Sequence, residues 1–194
     1  FRDFINAGKF IILTGPPGTG KTTLAERASE QATKNKFVSG YTTTTAISDW
    51  STFDTIGGYM PDSDGALSFN EGIFLKSIRE NKWIVVDEIN RAEVDKAFGH
   101  FFTALAGKDV DLQYKENLSE KNAPNISIRQ SNTLYSYYDP NVATYYIGKN
   151  WRIIGTMNTY DKNSLFSLSY AFMRRFALVP IPAPTAEEFK IIIR

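Results

Sequence analysis

The sequence holds no cysteine and a single histidine, His100, in 194 residues. The first absence excludes disulfides and thiolate metal sites, and it suits a cytoplasmic protein. The second leaves no imidazole partner at metal-binding or triad spacing, so His100 receives no role. Charge of one sign is missing too: 22 Lys and Arg stand against 21 Asp and Glu, a net of +1. That balance argues against a strongly electrostatic nucleic-acid or membrane surface, leaving room only for a local basic stripe. No apolar run is long enough to span a bilayer, and no internal repeat is visible. The chain opens on Phe1 and stops at Arg194 within a helical pattern, which reads as a piece of a longer protein. What remains is one globular domain, or one and a fraction, whose 42% hydrophobic content is enough for a core.

The stretch that organises the rest is Gly15-Pro16-Pro17-Gly18-Thr19-Gly20-Lys21-Thr22, directly after the apolar run Phe10-Ile11-Ile12-Leu13. Glycines at both ends of a tight turn, then lysine, then a hydroxyl residue, are what converging backbone N–H groups need to cradle phosphate oxygens. Lys21 is placed to reach the β- and γ-phosphates and Thr22 to hold Mg²⁺. An ordinary Gly/Pro turn is the competing reading. It loses weight because a buried strand precedes the loop and Thr22-Thr23-Leu24-Ala25 opens a helix whose N-terminal dipole adds to an anion site.

Further along, 37–46 is rich in β-branched residues and predicts a strand. Glycine, proline and aspartate between 48 and 69 predict mostly loop, with a short helix at 49–56, after which Asn70 caps a helix over 71–81. Residues 82–88 read as a buried strand ending in Asp87-Glu88. Val94, Ala97, Phe98, Phe101, Phe102 and Leu105 recur at helical spacing and predict one amphipathic helix closed by Gly107, its aromatic stripe in the core. Short alternating pieces over 110–150 predict an inserted β-hairpin or pair of hairpins. The tyrosines there (135, 137, 138, 145, 146) fit cross-strand pairs better than base-stacking platforms. A strand at 151–156, a helix carrying Leu165, Leu168 and Phe172, a strand over 176–182 cut short by prolines, and a capping-box start at Thr185 complete the pattern. Alternating strands and helices imply an α/β fold, a parallel sheet with helices on both faces.

In such a sheet the ligand crevice lies at the carboxyl ends of the strands, where Gly15 and Asp87-Glu88 all arrive. Asp87 is expected to complete the Mg²⁺ shell with Thr22, and Glu88 to orient or deprotonate the attacking water. A solvated turn is the alternative for an isolated Asp-Glu pair, disfavoured beside four apolar residues and a phosphate loop. Asn158 projects from the same sheet edge, where it serves either as a contact to water and γ-phosphate or as a turn former. Arg174-Arg175 stand before the last strand, either stabilising charge in phosphoryl transfer or lying on a solvated surface.

Gly15–Thr22, Val85-Val-Asp-Glu-Ile-Asn-Arg-Ala92, Ile154-Gly-Thr-Met-Asn-Thr159 and Ala171-Phe-Met-Arg-Arg-Phe176 together resemble the AAA+ ATPases, within the branch holding McrB-type, MoxR-type and dynein-like modules. The resemblance covers nearly the whole chain. It implies that Gly15 to Thr23 bind nucleotide through the Walker A lysine and hydroxyl, Lys21 and Thr22, that Asp87 and Glu88 are Walker B acids, and that Asn158 is the sensor-1 residue. Arg174 and Arg175 match the region that supplies arginine fingers to a neighbouring subunit, which implies a homo-oligomeric, usually hexameric ring. It further implies a large nucleotide-binding subdomain over 1–182 and the start of a truncated helical lid over 183–194, with the 110–150 insertion facing a pore or partner. ATP is the expected substrate with Mg²⁺, GTP the alternative. The expected action is remodelling or DNA translocation, as the motor of a McrB-like restriction or phage-defence system with an effector nuclease or other protein partner. DNA would be reached through flanking domains or the insertion. The alternative is a MoxR-type chaperone or nucleotide-gated scaffold. Asn158-Thr159-Tyr160-Asp161 is not read as a guanine-recognition element, because its lysine is missing and its place is beside the γ-phosphate. Asp161 is expected to orient Asn158 or a neighbour's arginine.

Overall fold

In the computed structural model, which describes residues 8–63, 65–116, 118, 122–159 and 168–185, strand β1 (Phe10–Gly15) runs through the glycine-rich loop into helix α1 (Lys21–Lys34). The chain continues as β2 (Gly40–Thr45), a one-turn helix α2 (Thr52–Thr55), β3 (Gly57–Pro61), β4 (Leu67–Glu71), α3 (Ile73–Arg79) and β5 (Lys82–Asp87). After a 3-10 turn at Ile89–Arg91 come α4 (Val94–Phe98), α5 (Phe101–Leu105), and the insertion strands β6 (Val110–Lys115), β7 (Asn125–Gln130), β8 (Tyr137–Asp139) and β9 (Thr144–Ile147). β10 (Ile153–Asn158), α6 (Tyr170–Met173) and β11 (Phe176–Pro180) close the described chain.

The central sheet has the order β11-β1-β10-β5-β2, and every pair in it is parallel. Its three middle strands are the continuous apolar runs, as a sheet buried on both faces requires. Ile11, Leu13, Trp83, Val85 and Ile154 face one side, where α1 contributes Ala25 and Ala32. Ile12, Ile84, Val86 and Ile153 face the other, against α3, α4, α5 and the insertion. There Phe74, Phe98, Phe101 and Phe172 are fully buried and ring-packed at 4.8–5.1 Å, so the aromatic stripe does lie in the core. β11, an edge strand, ends at Pro180, where a missing N–H costs the ladder nothing.

Several local expectations change. The stretch read as loop before Asn70 contains the antiparallel hairpin β3–β4, with Tyr59 opposite Phe69. Its support is non-local: Tyr59 and Phe69 both pack on Tyr114 of β6, and the Tyr59 hydroxyl accepts the Lys115 N–H at 2.8 Å. Asn70 lies within β4, and Gly72 caps the following helix instead. The single helix expected over 94–105 is two, because Gly99 adopts φ 45°, ψ −127°, a conformation open to glycine and closed to helix continuation. The insertion is a pair of hairpins, β6–β7 and β8–β9, joined by the parallel pair β7–β9 into one four-stranded sheet. Tyr137 stacks on Tyr146 at 4.7 Å and Tyr138 meets Tyr145 at 4.4 Å, the cross-strand pairing expected. Hydrogen bonds from Tyr145 to Glu71 and from Ser136 N–H to Asn81 Oδ1 (2.9 Å) fasten this sheet to β4 and to the turn after α3. Among the described residues no helix is long and apolar enough to cross a membrane.

Candidate nucleotide site

The loop is built so that its own lysine waits inside it. Lys21 is only 6% exposed, and its Nζ donates to the carbonyls of Gly15 (3.1 Å) and Pro16 (2.6 Å). Burial lowers its pKa, while the nearby Asp87 and Glu88 carboxylates pull the other way. The Thr19 hydroxyl donates to Pro16 O at 3.0 Å and holds the turn closed, while Pro17 and Gly18 form its exposed crest. Gly20, at φ 77°, is the N-cap of α1 and offers no side-chain cap, so the first-turn N–H groups of a 14-residue helix stay available to an anion.

The two acids arrive from β5. Thr22 Oγ1 donates to Asp87 Oδ1 at 2.6 Å, bringing the helix start and the strand end together. In a strand, successive side chains leave on opposite faces, so Asp87 and Glu88 would diverge. They do not, because Glu88 sits in the left-handed region at φ 51°, ψ 45°, ending the strand and turning its carboxylate back. That backbone costs about 1–2 kcal/mol for a non-glycine residue and needs local support.

The support comes from β10, whose residues Thr156 and Asn158 share a face by the two-residue period of a strand. Thr156 Oγ1 donates to Asp87 Oδ1 (2.5 Å) and accepts the Glu88 N–H (3.0 Å). Asn158 Nδ2 donates to Glu88 Oε1 at 3.0 Å, and Arg91 Nε meets Glu88 Oε2 at 2.8 Å. Parallel pairing sets Asn158 directly opposite Gly15, at the mouth of the loop. Neither Thr156 nor Arg91 is singled out by the sequence pattern. The available signals were the two-residue step before Asn158 and the three-residue step after Glu88.

Lys21, Thr22, Thr23, Asp87, Glu88 and Asn158, with the loop crest, line one open cleft of about 430 Å³, a volume of the kind small-molecule ligands fill. A second cleft, of about 540 Å³, is lined by Lys9, Phe10, Arg174 and Arg175. Size would choose the second; the glycine-rich loop with its uncapped helix N-terminus and the paired carboxylates choose the first. Among the described residues no group of three or more His, Asp or Glu is arranged to hold a metal alone. Mg²⁺ does not ask for one: it takes one or two protein oxygens beside phosphate and water, and the Thr22–Asp87 pair is a donor set of that kind.

Arg174 and Arg175 lie away from this cleft. They precede β11, whose Phe176 pairs with Phe10, at the end of β1 opposite the loop. Five strand steps separate Phe10 from Gly15, about 17 Å, well beyond one side chain's reach. Arg175 is engaged within its own chain, its Nε donating to Phe102 O at 3.0 Å, its Nη1 to Ala171 O, and its guanidinium lying over the Phe102 ring. Arg174 is exposed, and among the described residues its guanidinium lies over the Tyr170 ring, 5.5 Å from the centroid. Asp161 and the lid start beyond Thr185 lie outside the described residues.

Comparison with known proteins agrees with this architecture. The chain is 33% identical over 186 residues to the type IV methyl-directed restriction enzyme EcoKMcrB subunit of Escherichia coli (strain K12), covering 89% of this chain and 35% of that protein. It is 33% identical over 85 residues to Midasin of Dictyostelium discoideum, covering 42% of this chain and 1% of that protein. The chain thus spans about a third of the first relative and a sliver of the second. A Cytophaga hutchinsonii ATCC 33406 protein assigned as an ATPase superposes over 98% of this chain and 47% of its own, with a TM-score of 0.57 and 17% identity, a likeness of fold alone. The profile of the AAA domain (dynein-related subfamily) matches residues 10–176, nearly the whole described sheet, and the chain belongs to that family.

Proposed function

We propose that this domain is the nucleoside triphosphatase module of a ring-forming motor of the McrB type, hydrolysing ATP, or GTP, to drive remodelling or DNA translocation. The observation that carries the reading is the convergence of Lys21, Thr22, Asp87, Glu88 and Asn158 on one cleft from the ends of three adjacent parallel strands. In this reading the N–H groups from Gly15 to Thr23 and the Lys21 ammonium bind the phosphates. Thr22 and Asp87 hold Mg²⁺, which when bound supplies charge neutralisation and a template for the phosphates. Water attacks the γ-phosphorus, its proton passes to Glu88, and the bond to the β-phosphate oxygen breaks. Asn158 keeps the Glu88 carboxylate and the water aligned. Residues 1–182 act as the large subdomain, and 183–194 begin the lid.

Arg174 is assigned the role of a finger acting on a neighbouring subunit's nucleotide. It is exposed, and it lies too far from its own loop to act there. Arg175, held by Phe102 and Ala171, is assigned to position the segment that presents it. A ring, hexameric by analogy with the family, follows from a finger that acts only across an interface. Similarity to a restriction-enzyme subunit favours DNA as the track and a nuclease as the partner. The test is turnover of ATP and of GTP by the full-length protein with and without DNA. Lys21→Ala should abolish nucleotide binding, and Glu88→Gln should bind nucleotide without turnover. Normal phosphate release from the Glu88→Gln protein would refute the assignment of the base, and turnover indifferent to DNA would favour a chaperone acting on proteins.

A further inference from the structure

We propose that Thr156 is a positioning residue for both acids, coupling the metal-holding carboxylate to the base through one hydroxyl. The inference rests on the hydrolase reading of the cleft. Thr156 is 1% exposed, so its hydroxyl has no water to satisfy it and is committed to what the fold supplies. It gives its hydrogen to Asp87 Oδ1 and takes the N–H of Glu88 on its lone pair. Both bonds of one small side chain therefore end on consecutive residues with different tasks.

Each bond has a separate consequence. Asp87 Oδ1 receives two hydroxyls, from Thr22 and from Thr156, while its Oδ2 makes no hydrogen bond among the described residues. Thr22 is the partner that must turn toward a metal. Thr156 is the partner that stays, so it keeps the carboxylate plane fixed. At Glu88 the accepted N–H holds the left-handed backbone that turns the carboxylate onto Asn158. Without that acceptor a part-buried N–H is unpaired in a disfavoured conformation, and relaxation toward extended backbone would swing the base off the Asp87 face. The hydroxyl, rather than the volume or β-branching of threonine, is the functional part.

The contrast that isolates it is Thr156→Val, which keeps shape and removes the hydroxyl, against Thr156→Ser, which keeps the hydroxyl. Loss of a hydrogen bond to a charged group corresponds to about a tenfold or larger effect. Thr156→Val should lower turnover at saturating nucleotide by about tenfold or more, with Thr156→Ser within roughly threefold of wild type. Independently of turnover, the ratio of Mg²⁺-free to Mg²⁺-loaded dissociation constants for a fluorescent nucleotide should shrink about fivefold or more in Thr156→Val, with the Mg²⁺-free constant unchanged. Thermal melting reports folding. Should the valine protein not fold, Thr156→Ser against Thr156→Ala makes the same comparison, since both lack the methyl group and differ only in the hydroxyl. Equal turnover and equal metal ratios across the hydroxyl-bearing and hydroxyl-free proteins would overturn the proposal, as would a serine protein as impaired as the valine one. If the wild-type protein itself shows no Mg²⁺-dependent binding or turnover, the hydrolase reading fails, and the positioning role falls with it.

Discussion

The Glu88 carboxylate is held by two donors whose settings differ, and the difference predicts a hierarchy of mutant effects. Asn158 Nδ2 reaches Oε1 at 3.0 Å from a half-buried position fixed by β10, and Arg91 Nε reaches Oε2 at 2.8 Å with a side chain 47% exposed. A hydrogen bond to a charged group inside a fixed frame contributes about 1.5–3 kcal/mol. An exposed ion pair contributes about 0.2–1 kcal/mol, because solvent and salt screen it and a long side chain must be ordered. If those energies appear in the transition state, Asn158→Ala should slow turnover by roughly 10- to 150-fold, whereas Arg91→Ala should slow it by less than about fivefold. Neither change touches the glycine-rich loop or Lys21, so nucleotide affinity should stay within about threefold of wild type. The assay is phosphate release at saturating nucleotide and several salt concentrations, with affinity measured separately on a fluorescent analogue. An Arg91→Ala defect equal to that of Asn158→Ala, or one that does not fade as salt rises in the wild type, would refute the reasoning. It would mean that Arg91 acts on something other than an exposed partner in its own chain.

Three further substitutions have outcomes set by the packing. Arg174→Ala should cut turnover, and mixing it with a Lys21→Ala protein should restore part of it, since each mutant supplies the element the other lacks. Arg175→Ala should instead lower the melting temperature, because it releases Ala171 and Phe102; no rescue at any mixing ratio would exclude a finger acting across an interface. Tyr145→Phe removes a hydroxyl that donates to Glu71 in a 2%-exposed setting, a loss of about 1.5–3 kcal/mol and roughly 3–12 °C in melting temperature. Burial, then the Glu71 hydrogen bond, pushes the Tyr145 pKa upward, so the neutral donor is favoured on folding. From neutral pH upward the contribution should be complete below the ordinary tyrosine value of 10.0 and decline above it. A wild-type advantage that vanishes near neutral pH would contradict that assignment.

The features legible in the sequence are those whose signal is contiguous. The phosphate loop announces itself because its glycines, lysine and threonine must be neighbours to form one turn. The three inner strands do so because burial on both faces leaves an uninterrupted apolar run. Cross-strand pairing of the insertion's tyrosines is legible from their place in hairpins, whereas which tyrosine meets which is set by the β8–β9 register. The β3–β4 hairpin was not legible, since Gly57-Gly58 and Pro61 mimic loop, and the Tyr114 that holds it lies more than forty residues later. Nor was the division of the helix at Gly99, because glycine within an amphipathic stripe reads as tolerated until its backbone angles are known.

The order of residues alone specified a glycine-rich loop with lysine and threonine, a strand ending in two acids and a polar strand end. It also determined that two arginines stand before the last strand. Which of these meet is a matter of how the strands pack. Parallel pairing put Asn158 opposite Gly15, the left-handed backbone at Glu88 turned two consecutive acids onto one face, and Thr156 came to lie beneath both. The same pairing put Arg174 at the far end of β1 from its own loop. Local chemistry is written in adjacent residues, but the distance between groups from different strands is set by register and sheet order, which no single stretch of sequence contains.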